Sequence, residues 1–396
     1  MTANAASRTL RGLMPPPLSS PSLPHLVRVA GLVVLAGHAA AQEPMPQPLP
    51  APPMYIPEPF AEPGLSGMPP TVAAELLPDW PRWFAGAGGL VMTRTLPEGA
   101  ATMQPLAATQ LTTADAGANW PGGVDLHVGR WFGARQQHAV EFIYWGLFDL
   151  GGAASVTTSP PAITAVPQAP GATIGGTPAA AFLTAAAGES IARADVVNDV
   201  EINWVYSLWE RPEFLPRDRR VNLMWLAGFR FFQVGDTLTL ATASATPGLD
   251  SLSLGVATNN NLYGAQVGAK FDWMFMPRVR FAVVPKFMIG GNAITNTTSL
   301  VGPGDVDATF TGGDPVNVHS KLGVFSWLGS VDTGIAWDIS DRWSLSIGYR
   351  VVGVGNIAQA DGQWPVTIDS PESIAGLDAG SSTIIHGGFA GFESRY

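Results

Sequence analysis

Apolar and polar side chains alternate with a period of two along most of the chain after its first 79 residues. The stretch RRVNLMWLAGFRFFQV at 219–234 shows the pattern: Phe229 and Phe231 occupy odd positions, and Arg230 lies between them at an even one. On a helix Arg230 would share a face with apolar residues, but on a strand it points away from both phenylalanines. The pattern therefore predicts a β-strand with one apolar and one polar face.

The same alternation predicts an all-β protein of about ten antiparallel strands, with about twelve as the alternative count. The predicted strands are residues 82–94, 122–132, 138–149, 197–209, 219–232, 261–275, 278–290, 323–339, 342–354 and 383–396. They are longer than the roughly 5–6 residues of an average globular strand and suit a tilted strand that crosses a membrane. Short links at 133–137, 210–218, 276–277 and 340–341 alternate with long ones at 95–121, 150–195, 244–258, 291–320 and 355–382. This rhythm is typical of an up-and-down transmembrane barrel with short periplasmic turns and long extracellular loops.

The direction of the apolar face decides between two β architectures. A soluble β-sandwich buries that face, whereas a membrane barrel exposes it to lipid and turns its polar face to the lumen. Strand length, loop rhythm and aromatic residues near the strand ends favour the barrel, which also leaves no unpaired strand edge in lipid. The lumen-facing candidates are Asp125, His127, Glu141, Asp199, Glu201, Arg230, Lys270, Arg280, Lys286 and Arg350. The lipid-facing candidates are Trp204, Tyr206, Trp225, Phe229, Phe231, Phe271, Trp273, Trp343 and Tyr349.

The N-terminal region has the pattern of an export signal followed by a linker. Residues 1–41 place Arg28 before a short apolar run and a small-residue cleavage site, which predicts a signal peptide, with Met14 as an alternative start. Residues 42–79 hold twelve prolines and predict a disordered periplasmic linker. The barrel is then expected to occupy residues 80–396, in the outer membrane of a Gram-negative envelope.

Composition limits the partners that the chain could have. Charged residues make up 13% of the sequence, against roughly 25% in a typical soluble domain, and the formal net charge of −10 argues against a nucleic-acid partner. The absence of cysteine excludes disulfides and thiolate metal sites, and we expect neither a cofactor nor a metal. The expected partners are membrane lipid, a lipopolysaccharide-type outer leaflet and small solutes. The barrel-assembly machinery is expected to recognise Phe392 and Tyr396 of the last strand as an insertion signal.

Several stretches of the chain carry a resemblance to a known family. They are WFAGAGGLVMTR at 83–94, AGFRFFQVGDTLTL at 227–240, NNLYGAQVGAKFDW at 260–273, PKFMIGGN at 285–292 and the final HGGFAGFESRY. In these stretches the chain resembles the beta-barrel porin families of planctomycete-type bacteria, most closely the seventh of that series. The resemblance covers residues 80–396 and implies an outer-membrane barrel, but it carries over no functional residues because its motifs are structural.

The sequence offers little support for catalysis. It contains neither the GxSxG nor the HExxH signature, so an outer-membrane hydrolase is the least favoured of three functions and we expect no enzyme. Asp305, Asp307 and Asp314 cluster in one loop, but they lack the spacing of an EF-hand and are interpreted as a solvated acidic loop. Pro285 falls in mid-strand, where its missing N–H predicts a bulge or a local break in the ladder.

Two functional hypotheses follow from the barrel. The first is a porin that passes or restricts small polar solutes. The second is a structural or surface-display barrel with a plugged lumen, because the interior of a barrel near eight strands can be filled by side chains. The predicted acids and bases could form ion pairs across the lumen and close it.

Overall fold

A computed structural model of the protein describes residues 81–104, 110–133, 136–159, 161, 163–209, 220–244 and 251–396. All of them fall in the second of the two units into which the chain divides, Leu77–Tyr396. The predicted signal peptide at 1–41 and the predicted linker at 42–79 lie outside the described residues. In the described ranges, no helix is long and apolar enough to span a membrane.

The described residues form fifteen strands, ten of which close into a ring. In chain order the strands are β1 (Trp83–Arg94), β2 (Gly122–Phe132), β3 (His138–Phe148), β4 (Ala153–Thr157), β5 (Ala172–Ile174), β6 (Thr177–Pro178), β7 (Ala186–Ser207), β8 (Val221–Ser244), β9 (Ser251–Met276), β10 (Val279–Gly302), β11 (Val306–Asp307), β12 (Thr309–Phe310), β13 (Asn317–Asp338), β14 (Trp343–Ile357) and β15 (Ser381–Arg395). The ring runs β1–β2–β3–β7–β8–β9–β10–β13–β14–β15 and back to β1, with every neighbouring pair antiparallel. The prediction of an all-β, up-and-down barrel of ten strands is confirmed.

The strands of the ring differ in length by a factor of about two. The consecutive strands β7, β8, β9, β10 and β13 have 22, 24, 26, 24 and 22 residues. The other five have only 11 to 15 residues. The predicted long loops 244–258 and 291–320 are therefore partly wrong, since β9 begins at Ser251 and β10 continues to Gly302. The alternation persists toward the ends of these strands because their inward side chains there pack on a separate apolar core, which includes Ile191, Leu238, Leu254 and Leu300.

The two ends of the ring have different connections. At one end, called the short-turn end, only residues 277–278 connect β9 to β10 and 339–342 connect β13 to β14. At the other, the long-loop end, the long connections carry the small strands, two helices (Ala180–Leu183 and Pro371–Ile374) and three 3-10 turns (Thr113–Asp115, Pro303–Asp305 and Ala360–Gln363). These connections form a cap whose apolar core includes Met103, Ile163, Phe182, Trp364 and the upper inward residues of β7 to β10.

Inward side chains divide the lumen into layers along its axis. At the short-turn end, an apolar patch of Phe84, Trp131, Ala139, Val205, Met224 and Leu226 lines the side formed by β1, β2, β3, β7 and β8. Charged residues follow, and above them comes the mid-lumen cluster. That cluster consists of Leu90, Met92, Trp145, Leu147, Leu150, Val197, Phe232, Val234, Leu262, Met288, Leu328, Val352, Val354, Ile357 and Ile385. Every strand of the ring except β2 contributes to it, so apolar side chains from all sides meet at the centre.

Pro285 interrupts one ladder without shifting its register. On the β9 side, pairing runs from Val279 to Val283 and resumes at Lys286, so Pro285 and the residue before it are unpaired there. The pairs Val283–Phe271 and Lys286–Gly268 belong to the same register, and β10 pairs continuously with β13 through Pro285. The predicted local break is confirmed, and it occurs because proline has no N–H to donate.

The ring closes where β1 meets β15. Eleven residues pair in this seam, from Phe84 opposite Arg395 to Arg94 opposite Ile385. Glycines let the two backbones approach closely: a Cβ atom on Gly88 would lie 2.7 Å from the carbonyl oxygen of Ala390. A side chain at this position would therefore push the closing strands apart.

Candidate functional site

The charged layer below the mid-lumen cluster is built around Arg230. Its Nε atom donates to Asp199 Oδ1 at 2.6 Å, and its Nη1 donates to Ser330 Oγ at 3.1 Å across the barrel. Lys286 Nζ lies 2.9 Å from both carboxylate oxygens of Glu201. These four charged side chains are at most 7% exposed, so their pairing replaces the solvation that they lose.

A second arginine bridges opposite walls of the same layer. Arg350 Nη1 on β14 lies 2.8 Å from Asp125 Oδ2 on β2 as an ion pair, and its Nε donates to Asp332 Oδ1 on β13 at 2.7 Å. Its guanidinium carbon lies 5.2 Å from the ring centre of Trp145, a distance typical of a cation–π contact. Arg350 thus joins the charged layer to the mid-lumen cluster above it.

Three further pairs lie toward the short-turn end. Lys270 on β9 contacts Glu141 on β3. His127 Nε2 lies 3.1 Å from Glu393 Oε2, and Arg280 Nη1 lies 3.2 Å from Asp338 Oδ1. The structure thus places all ten residues proposed as lumen-facing inside the ring and pairs each of them with an opposite charge.

Sequence reasoning missed several members of this layer. Five more inward residues belong to it, namely Asp272, Asp332, Asp338, Glu393 and Arg395. Each occupies a position with the same odd or even parity as another inward residue of its strand. Parity alone could have found them, because each alternates with exposed aromatic or aliphatic residues. Their partners could not have been found, since the pairs join strands that are distant in sequence.

A separate ionic cluster lies above the mid-lumen cluster. Arg94 Nε contacts Asp195 at 2.8 Å and its Nη2 contacts Asp236 at 2.9 Å, while Arg193 Nη1 contacts Asp236 at 2.9 Å. Arg193 Nη2 donates to both oxygens of Asp361 at 2.7 Å. Since Asp361 belongs to the connection between β14 and β15, this cluster fastens the cap to the barrel wall.

The sequence-based strand limits hid this upper cluster. Asp195 was placed in the predicted loop 150–195, and the fifth predicted strand was ended at residue 232, before Asp236. Both residues continue the inward parity of their strands, at which Asp199 and Arg230 lie deeper in the barrel. The continuing alternation was the signal that could have revealed them.

A cavity of about 290 Å³, called the mouth cavity, opens at the short-turn end. Its lining combines the apolar patch with charged side chains, among them Lys270, Asp272, Arg280, Glu393 and Arg395. Beside Phe389 and several charged side chains, the wall formed by β13, β14, β15 and β1 contributes small inward residues, including Gly88, Gly334, Ser344, Ser346 and Gly391. These small side chains leave the space that the cavity occupies.

The outer surface carries an apolar band. Of the proposed lipid-facing residues, Trp204, Trp225, Phe229, Phe271, Trp273, Trp343 and Tyr349 are 37% to 52% exposed. Tyr206 and Phe231 are half-buried instead. Tyr206 packs in a stack with His138 and Trp204, with ring centres 5.2 and 6.3 Å away. Phe392 and Tyr396 are exposed at the end of β15, and their role as an insertion signal stays a prediction.

Among the described residues of the charged layer, one histidine meets a carboxylate. His127 pairs with Glu393, but no serine or threonine hydroxyl among the described residues hydrogen-bonds to this histidine. In the part of the chain that the structure describes, no three or more histidines and carboxylates are grouped as they would be to hold a metal ion. What the site can do is hold opposite charges in fixed pairs inside an apolar wall.

The chain matches the model of one known protein family. The family model described as Putative beta barrel porin-7 (BBP7) matches residues 88–380. The chain belongs to this family. The match spans most of the barrel, from β1 to the connection before β15, and agrees with the resemblance in the sequence. Membership in a β-barrel porin family makes the protein an outer-membrane type of barrel.

Several solved structures are similar to the chain at low identity. The outer membrane protease OmpT from Escherichia coli is 9% identical, with a TM-score of 0.41 over 80% of this chain and 97% of that one. The translocator domain of the autotransporter NalP from Neisseria meningitidis is 8% identical, with a TM-score of 0.33 over 82% and 92%. The CymD monoaromatic hydrocarbon channel is 9% identical, with a TM-score of 0.30 over 80% and 89%. No curated protein matches the chain.

Proposed function

We propose that the protein is an outer-membrane barrel whose lumen is closed by its own side chains, and that it serves as a structural or surface-display barrel. The observation that carries this proposal is the mid-lumen cluster, in which nine of the ten ring strands meet in one apolar core. Protein interiors of this kind pack with few voids larger than a water molecule. The charged layer below and the ionic cluster above reinforce the closure, because their acids and bases are fixed in pairs.

The two ends of the barrel support an orientation. Short turns face the periplasm in outer-membrane barrels and long loops face outward, so the cap would lie at the cell surface. Export by the predicted signal peptide at 1–41 would deliver the chain, and the apolar band would contact lipid and the lipopolysaccharide-type leaflet. On this proposal the barrel holds the cap outside the membrane, and the cap carries whatever the protein displays.

Single-channel conductance in a planar bilayer tests the proposal. The refolded wild-type chain is expected to insert without conducting. The double variant Trp145→Ala with Phe232→Ala removes two large side chains from the mid-lumen cluster and is expected to conduct, because both are at most 1% exposed inside the lumen. The matched control Phe142→Ala removes an outward ring that is 42% exposed and is expected to stay silent. Open channels in the wild-type protein would contradict a closed barrel.

A second candidate is a porin that restricts small polar solutes. The description of the family and the charged mouth cavity favour it. On this alternative the constriction is the charged layer, and Arg230→Ala or Glu201→Ala should raise the conductance of a channel that the wild type already forms. If neither variant nor the wild type conducts, the porin alternative is wrong, whereas the closed barrel stands.

A further inference from the structure

The mouth cavity has two chemically different walls. One side is apolar and bulky, with Phe84, Trp131, Val205 and Met224. On the other side, formed by β13, β14 and β15, glycine, alanine and serine lie between the charged residues and Phe389 and leave space beside them. At about 290 Å³ the cavity is close to the lower end of the roughly 300–1,000 Å³ of small-molecule sites. It therefore has room for a small organic molecule with an apolar part.

Every basic side chain that lines the cavity already has a carboxylate partner. Lys270 contacts Glu141, Lys286 contacts Glu201, Arg350 contacts Asp125 and Asp332, Arg280 contacts Asp338, and Arg395 contacts Asp338 and Glu393. An anionic ligand would have to displace one of these carboxylates from its base. Since the pairs are largely buried, that exchange would leave a carboxylate without its cation, at a cost of several kcal/mol.

Asp272 is the carboxylate without such a partner. It lines the cavity on β9. No described residue forms a hydrogen bond or an ion pair with its side chain, although Arg280, Lys270 and Arg395 are near enough to act on its charge. The carboxylates of the layer are Asp125, Glu141, Asp199, Glu201, Asp272, Asp332, Asp338 and Glu393, and the bases are Arg230, Lys270, Arg280, Lys286, Arg350 and Arg395. Eight acids against six bases leave the layer negative by two when His127 is neutral.

We infer that the mouth cavity is a binding site for a small organic monocation that carries an apolar group. The cationic end would pair with Asp272, and the apolar end would pack on the wall that includes Phe84 and Trp131. Such a ligand supplies the charge that the layer lacks and covers apolar surface that faces water. Binding requires only the short-turn end, so this inference does not depend on whether the lumen conducts.

Isothermal titration calorimetry on the full chain in detergent micelles at neutral pH tests this inference. The probes are 2-phenylethylammonium, 2-phenylethanol and phenylacetate, which share a ring and differ in charge. The ammonium probe is expected to bind saturably, and the neutral and anionic probes at least about tenfold more weakly, a difference of about 1.4 kcal/mol. Phenylacetate binding as tightly as the ammonium probe would overturn the inference, and so would the absence of binding by all three.

Two variants and one control variant test whether the probe binds in the mouth cavity. Asp272→Asn is expected to weaken the ammonium probe about tenfold or more, whereas Asp307→Asn, which changes an exposed acid at the long-loop end, should leave it unchanged. Ala336→Leu fills the cavity without altering its charge and is expected to weaken the probe as well. Unchanged affinity in Ala336→Leu would show that the probe binds elsewhere, even if Asp272→Asn failed to fold.

Discussion

Arg230 hydrogen-bonds to Asp199 rather than to Glu201, the residue directly opposite it on β7. The register places Glu201 across from Arg230, yet the guanidinium reaches Asp199 at 2.6 Å and comes only within 3.8 Å of Glu201. Glu201 is left to accept Lys286 from the far side of the barrel. This diagonal arrangement lets two carboxylates on one strand bind cations from two different strands, and so ties β7 to both β8 and β10.

Removal of Arg230 should therefore be costly. Arg230→Ala leaves Asp199 buried without its nearest cation, and we expect it to lower the free energy of unfolding by about 3–5 kcal/mol. Urea unfolding of the lipid-embedded chain, followed by tryptophan fluorescence, measures the loss. The double variant Asp199→Leu with Arg230→Met removes both charges and should lose much less. Equal losses in the two variants would mean that the ion pair is not what stabilises this position.

The loss of stability caused by an arginine on the outer face should depend on its depth in the membrane. Phe229 is 50% exposed and lies farther along β8 from the short-turn end than Trp225, which is 52% exposed. We expect Phe229→Arg to cost about 2–4 kcal/mol, and Trp225→Arg to cost less because it lies nearer the interface. Unfolding titrations of both variants give the comparison, with Phe229→Leu as control. A greater cost at Trp225 would place the midplane of the bilayer nearer the short-turn end.

The contact between the cap and the wall should depend on Asp361. This carboxylate accepts from Arg193 at 2.7 Å and from Thr113 Oγ1 at 2.5 Å, so it joins two of the capping connections to β7. Asp361→Asn weakens charge-assisted bonds worth about 1.5–3 kcal/mol, and amide exchange in the cap should accelerate by about tenfold or more. Mass spectrometry of exchanged peptides measures it. Asp369→Asn alters an exposed acid of the same connection and should change nothing.

Low pH should stabilise the cap through Glu189. Burial raises the pKa of Glu189 from its ordinary 4.5 to about 7. The folded cap therefore holds the protonated form more tightly than the unfolded chain does, and its stability declines as pH rises from about 4.5 through about 7. Glu189→Gln should abolish this decline and leave the cap better protected from amide exchange above neutral pH. The exposed Glu372→Gln is the control, and a decline that persists in Glu189→Gln would assign it to another group.

Alternation was enough to predict the barrel but not its height. Parity fixed the ten strands and the inward side of each, because a strand whose side chains reversed faces would expose charge to lipid. The predicted limits of β7 to β10 and β13 were too short because strand length was taken from the thickness of a membrane. Above the apolar band, the length of these strands is set by the core of the cap, which their inward side chains cover.

Pairing inside the lumen could not be predicted from parity. His127 lies on the same strand face as Asp125, but the structure pairs it with Glu393, which is 266 positions away in the sequence. Which residues meet depends on the tilt of the strands and on the width of the ring, and both of these arise only when the ring closes. The unpaired state of Asp272 could not be predicted for the same reason, since a carboxylate is recognised as left over only after every other pair is known.

The seam between β1 and β15 has a consequence for how the barrel assembles. It brings together Phe84 and Arg395, 311 positions apart, whereas the other nine pairings join strands that follow one another around the ring in chain order. Strands of the long hairpins can pair starting from their turns, each with a small loss of chain entropy. The last pairing can form only when β1 and β15 have both been brought together. Until then the half-built sheet has two free edges in the membrane, one on β1 and one on β15.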